Sequence, residues 1–214
     1  MKKRGSLRFD YNNYYKLIYT LDFMEPIYEQ IWGGALPYQD KRDDKGHAKT
    51  VKDYAIKLLE TEQGNEEIVI PAAILHDIGW SQMSKEERMS CFKRFDKNIR
   101  IKHQKLGVKL AKKLLEQIDY NPKSIEEILE IIDGHDIREG FLSQNDGIVR
   151  DADKLWRYSE IGFWTDHRKI SLSKKEHYET LKKNIDAKNF FYLENSREIA
   201  RKELGKREKE IFEM

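Results

Sequence analysis

Pro71-Ala-Ala-Ile-Leu-His-Asp-Ile-Gly-Trp80 carries both the strongest burial signal of this chain and its most reactive side chains. An apolar run ends on a His and an Asp side by side, and Gly79 follows as a turn signal. Apolar runs bury themselves, and a carboxylate carried in beside an imidazole is costly unless something pairs with it. Taken alone, the pair reads as a core histidine bonded to its neighbour. The rest of the chain shifts that balance. His47, His103, His135 and Asp153 are groups of the same kind, so four of the six histidines fall in one series with the His76-Asp77 pair. A divalent cation is the natural partner for such a set.

Working outward from this stretch, the periodicity is helical throughout. Residues 11–32 carry an aromatic, amphipathic pattern that breaks or restarts at Pro26 and ends at Gly33-Gly34. Residues 33–46 read as a polar loop. A helix is expected from His47 to Glu62, closed by Gly64 and Asn65. The next is expected over Glu67 to Asp77, with Pro71 marking its true first turn. Residues 81–100 are polar and read as a short helix or a loop. Lys102 to Gln117 and the segment opened by Asn121-Pro122, with Ser124 as a candidate cap, are strong helical patterns. Residues 136–147 read as a loop, 148–163 as a helix, and 173–188 and 193–212 as two charged helices. No strand-like alternation, repeat or linker divides the chain. The expectation is an all-α, single-domain helical bundle. In it, residues 1–46 pack on a core at 47–164, and 165–214 complete the same domain.

Composition agrees with helix. Of 214 residues, 36% are charged but only four are proline and twelve glycine. The 40 Lys and Arg nearly balance the 38 Asp and Glu, leaving +2. Bulk charge therefore gives no reason to expect nucleic acid or a membrane surface as partner. The lone cysteine, Cys91, excludes an internal disulfide framework and a cysteine-based zinc site. It also makes the cytoplasm the simplest compartment. The basic start Met-Lys-Lys-Arg leads into aromatic, polar residues, so no secretory signal is expected.

Four His and two Asp without Cys suit Fe or Mn at least as well as Zn, with Co, Ni and Mg left open. Six ligands exceed what one catalytic ion takes while keeping free positions. Two ions bridged by Asp77 would use the set and could clamp a phosphoryl group.

Five segments carry a family likeness: His47-Ala-Lys-Thr-Val, Ala72-Ala-Ile-Leu-His-Asp-Ile-Gly79, His103-Gln-Lys-Leu-Gly107, Ile131-Ile-Asp-Gly-His-Asp136 and Val149-Arg-Asp-Ala-Asp-Lys-Leu155. Over about residues 47–160 the chain resembles the HD-domain superfamily of metal-dependent phosphohydrolases. The resemblance implies a one-metal set of His47, His76, Asp77 and Asp153. It adds His103 and His135 as the extra ligands of the two-metal branch. Asp151 then reads as a cap or a solvated residue, Asp136 as solvated or supporting a ligand, and His167 and His177 as surface residues.

What the likeness implies is a hydrolase cutting a phosphoester or phosphoanhydride bond of a small phosphorylated molecule, a nucleotide among the candidates. A metal-activated hydroxide would attack, with Asp77 central to catalysis. Arg138 and Lys154 are the candidate phosphate-holding residues, being close in sequence to ligands. The loop 33–46 and the segment 81–100 are placed to flank the site. The chain departs from named branches. Trp80 stands where several HD hydrolases carry Lys or His, the GYP motif is missing, and no Glu-Asp pair follows the His-Asp dipeptide. Two further readings stay open: a di-iron oxygenase on the same fold, and a metal-stabilised sensor or scaffold. The thin apolar stripe of the last helix leaves room for self-association.

Overall fold

A computed structural model describes residues 25–90 and 96–212. The aromatic residues 11–24 and Cys91 lie outside the described part. Ten α-helices run through it: α1 Pro26–Ala35, α2 His47–Leu59, α3 Glu66–Leu75, α4 Lys85–Ser90, α5 Lys97–Glu116, α6 Pro122–Ile132, α7 Gln144–Trp156, α8 Glu160–His167, α9 Lys174–Ile185 and α10 Glu194–Phe212. Short 3-10 turns follow α1 and α3, at Leu36–Tyr38 and Ile78–Gln82. No strand occurs among the described residues, so the fold is all-α.

The decisive stretch forms the central helix. Every residue of α3 from Ile68 to Leu75 is buried. A helix apolar on all faces must be enclosed on all sides, and α3 packs against α1, α2, α6 and α7. Asn65 caps it, its side chain accepting from the Glu67 N–H at 3.0 Å. Pro71 lies inside this helix and does not mark its first turn. A proline there leaves the carbonyl four residues earlier without a donor. That carbonyl is Glu67 O, and the Tyr120 hydroxyl donates to it at 2.7 Å. A tertiary contact thus repairs the ladder that the sequence alone shows broken.

Other expectations shift at their boundaries: α5 begins at Lys97, five residues before Lys102, and α7 at Gln144, four before Ile148. Gly33-Gly34 does not end α1, which runs on to Ala35. Asn121 caps α6 in place of Ser124, accepting from the Lys123 N–H at 3.0 Å, and Pro122 takes the first helical position. The helix expected over 148–163 is two helices. The Ser159 hydroxyl accepts from Gly162 N–H at 3.1 Å and starts α8 in a new direction.

One contiguous apolar cluster draws residues from α1 (Ile31) through α3 (Ile74), α6 (Ile128), α7 (Leu155) and α9 (Leu181) to α10 (Leu204). His177 belongs to this interior, not to the surface. It is buried, its ring 4.6 Å from that of Phe163. Asp151 is also fully buried. It accepts from the backbone N–H groups of Tyr192 and Leu193 at 2.9 Å each, and so ties the turn before α10 to α7.

Candidate metal centre

Five local devices bring the predicted ligands to one place. His47 is the first residue of α2. Gly46, at φ +90°, turns the chain into that helix, and Asp40 accepts from the Gly46 and Ala48 N–H groups at 2.7 and 3.1 Å. His76 and Asp77 follow directly on α3, where the chain leaves the helix for the 3-10 turn. That turn packs on α5 so closely that a Cβ on Gly79 would stand 1.9 Å from the His103 carbonyl oxygen and 2.5 Å from Gly107 N. The absence of a side chain at Gly79 therefore lets the Asp77 turn lie against the helix carrying His103. His135 sits in the turn after α6, and Asp153 on α7.

All six predicted ligands converge. His47 Nε2 lies 3.1 Å from His76 Nε2, and His103 Nε2 lies 3.4 Å from His135 Nε2. Asp77 stands between the pairs with its oxygens divided. Its Oδ2 is 3.2 and 3.6 Å from His47 and His76, whereas its Oδ1 is 3.5 and 3.4 Å from His103 and His135. Asp153 Oδ1 completes the first group at 3.4 Å from His47 and 3.6 Å from His76.

The donor chemistry fits divalent cations. His76 Nδ1 and His135 Nδ1 each meet a backbone carbonyl three residues back, Ala73 O and Ile132 O, at 2.9 Å. An Nδ1–H donated to a carbonyl is the arrangement that turns the Nε2 lone pair toward a metal. Two imidazole nitrogens facing each other beside carboxylate oxygens need a positive centre between them. Two overlapping sets meet that description, His47-His76-Asp77 and Asp77-His103-His135.

The charges show the same demand. Burial works against ionised Asp77, yet Arg42, His76 and hydrogen bonds from His103 and His135 hold its carboxyl well below the usual range. Asp153 is likewise lowered against burial, through its bond and charge pairing with His76 and through the charge of His47. Burial pulls His76 down, but Asp77 and Asp153 outweigh it and raise it to about 9. In His103 burial prevails and lowers the imidazole.

Three side chains that the sequence reading did not assign to the centre stand around it. Arg42 donates to Asp77 Oδ2 at 2.5 Å and to Asp44 Oδ2 at 3.1 Å. Trp80 donates its indole N–H to Asp77 Oδ1 at 3.0 Å. Arg100 pairs with Asp136 Oδ1 at 2.7 Å. Arg42 and Arg100 come from the two segments expected to flank the site, so position in the chain was the available signal. A narrow cleft with an inner volume of about 30 Å³ opens onto the centre, lined by Arg42, Asp44, His47, Asp77, Asp136, Asp153, Trp156, Arg157 and Asp166.

Arg138 and Lys154, the phosphate-holding candidates, are not brought into this cleft. Lys154 donates to the Phe190 carbonyl and lies 3.5 Å from Asp151. Arg138 donates to the Glu130 carbonyl at 2.6 Å and faces Asp146 at 3.5 Å. Both bond framework groups, and Arg42 and Arg157 are the cations that line the cleft.

With this geometry in view, comparison with known proteins is decisive. The HD domain family model matches residues 45–157, more than half of the chain. The chain belongs to the HD-domain family. Membership points to the metal-dependent hydrolase superfamily, and the clustered His and Asp point to divalent-metal binding. No curated protein and no solved structure gives a match. Among the described residues no helix is long and apolar enough to cross a membrane.

Proposed function

We propose that this HD-domain protein is a phosphohydrolase with two divalent ions, Fe or Mn for preference. It would cleave a phosphoester or phosphoanhydride bond of a small phosphorylated molecule, with nucleotides among the candidates. The observation that carries the proposal is Asp77 with one oxygen turned to each histidine pair, beneath a cleft lined by Arg42 and Arg157. Asp77, His47, His76 and Asp153 would hold one ion, and Asp77, His103 and His135 the other. When bound, such ions lower the pKa of a coordinated water and neutralise charge on phosphoryl oxygens.

The chain's own groups supply the rest. Arg42 reaches the centre from the loop before α2, and its planar donors match two phosphate oxygens. Arg157 stands across the same cleft. Trp80 steadies the shared carboxylate. Trp156 meets the His47 ring edge-on, centroids 5.1 Å apart, and shields it on the apolar side. An oxygenase would use the same ligand set, and the two arginines at the opening favour a phosphorylated substrate over an uncharged one.

The test is phosphate release from a panel of nucleotides and phosphorylated metabolites by the Mn²⁺- or Fe²⁺-loaded protein, with oxygen uptake measured alongside. Turnover that Asp77→Asn abolishes supports the proposal. Oxygen uptake without phosphate release would replace it with the oxygenase reading.

A further inference from the structure

The centre contains a second carboxylate that stands to one histidine pair as Asp153 stands to the other. Asp153 Oδ1 reaches His47 and His76 at 3.4 and 3.6 Å. Asp136 Oδ2 reaches His103 and His135 at 3.5 and 3.9 Å. From the geometry we infer that Asp136 is a further metal ligand, the terminal carboxylate of the ion held by His103 and His135. The inference rests on the two-ion reading above and deepens it.

Three observations converge on this residue. First, the two halves of the centre match group for group. Each has two imidazoles with their Nε2 atoms face to face, one oxygen of Asp77, and one further carboxylate oxygen within reach of both rings. Second, Asp136 divides its oxygens by task. Oδ1 accepts from Arg100 at 2.7 Å, which leaves Oδ2 turned to the histidines. A carboxylate whose outer oxygen is bonded is oriented in the way ligating carboxylates are. Third, the local build of His135-Asp136 repeats that of His76-Asp77. Both dipeptides follow the last residues of a helix, and both histidines meet the carbonyl three residues back at 2.9 Å. Asp136 also lines the cleft, where it is accessible to an incoming ion.

The simpler alternative is that Asp136 serves only as the partner of Arg100. Two substitutions separate these roles. Asp136→Asn keeps an acceptor for Arg100 and removes the charged ligand. Arg100→Gln removes the ion pair and leaves the carboxylate. Each protein, with the wild type and His103→Ala, is stripped with chelator and titrated with Mn²⁺ alone. Stoichiometry and affinity are read by calorimetry and by the paramagnetic resonance of free Mn²⁺, and circular dichroism confirms folding.

The expected result is two ions in the wild type and in Arg100→Gln. Asp136→Asn should keep one ion at wild-type affinity and bind the second at least tenfold more weakly. Should Asp136→Asn bind both ions like the wild type while His103→Ala loses one, Asp136 is not a ligand and the two-ion reading survives. Loss of the second ion in both Asp136→Asn and Arg100→Gln makes the ion pair the cause and overturns the assignment. A wild type that takes only one ion removes the two-ion reading and this inference together. If Asp136→Asn does not fold, Asp136→Ser replaces it with the same expectations.

Discussion

Trp80 lies flat on His103, ring centroids 4.0 Å apart and planes 11° from parallel, and the same indole donates to Asp77 Oδ1 at 3.0 Å. One side chain thus fixes the orientation of a histidine from one half of the centre and of the carboxylate shared by both. Arg42 sits over the Trp80 ring, 4.9 Å from its centroid, and donates to the other oxygen of Asp77. The Asp77 carboxylate is held at each oxygen by members of this stack. Trp80→Phe keeps an aromatic face but loses the N–H. It should cost about 1 kcal/mol of stability and lower kcat more than it raises KM. Trp80→Ala, at a buried position, should cost about 3–5 kcal/mol. Denaturant titration and steady-state kinetics on the two variants check the distinction; a Trp80→Phe protein that behaves like the wild type would mean that the hydrogen bond contributes nothing.

The repaired proline in α3 makes a separate prediction about stability. Tyr120→Phe removes the hydroxyl that caps Glu67 O and should cost about 1 kcal/mol. Pro71→Ala restores the missing backbone donor, so the hydroxyl loses its task. In the double variant the Tyr120→Phe penalty should shrink. A double-mutant cycle by chemical denaturation measures this, and strictly additive penalties would show that the contact does not compensate for the proline.

These two relationships mark where sequence reading stops. Helices such as α5 and α6 were legible because their apolar residues recur at helical spacing, and the convergence of the six candidate ligands because His and Asp stand in the order of a known family. Tyr120 could not be linked to Pro71, nor Trp80 to His103, because each pair meets only through packing of separate helices. Arg138 and Lys154 were chosen for closeness in sequence to ligands. On a helix, neighbours in sequence point away from one another, so Lys154 turns to Phe190 while Asp153 faces the centre. Arg42 arrives from a loop whose course no periodicity reveals. His177 lies in a densely charged stretch, and only the way α9 packs on the interior buries it.

That burial gives the fold an acid-sensitive point. His177 is pulled down to about 4, chiefly by desolvation and against the opposing charge of Asp166, with His167 and Arg157 adding to the lowering. An unfolded histidine titrates near 6.5. Between about 4 and 6.5 the unfolded chain therefore binds the proton that the folded chain refuses, and stability rises with pH across this window. The contribution is fully present above 6.5 and is lost as pH falls toward 4. Unfolding curves at pH 5 and 7.5 should show the wild type losing more stability on acidification than His177→Leu. Equal losses would place the acid sensitivity elsewhere.

Arg42 should affect cation and substrate in opposite directions. Its guanidinium bonds the Asp77 oxygen that faces His47 and His76, 2.5 Å away, and so opposes a cation at that position. In Arg42→Ala that competition ends, and Mn²⁺ should bind the first position more tightly than in the wild type. The same variant lacks a charge-assisted donor for phosphate, a loss of about 1.5–3 kcal/mol. That corresponds to a rise in KM of roughly 10- to 150-fold. Arg42→Lys keeps the charge without the planar pair of donors and should fall between the two in KM. Metal titration of the chelator-stripped variant and kinetics on the loaded one read the effects independently. If Arg42→Ala weakens both metal and substrate, the arginine's task is to hold Asp77 in place. Tighter metal with weaker substrate would make Arg42 the group that gives up the carboxylate to the ion and takes up the phosphate.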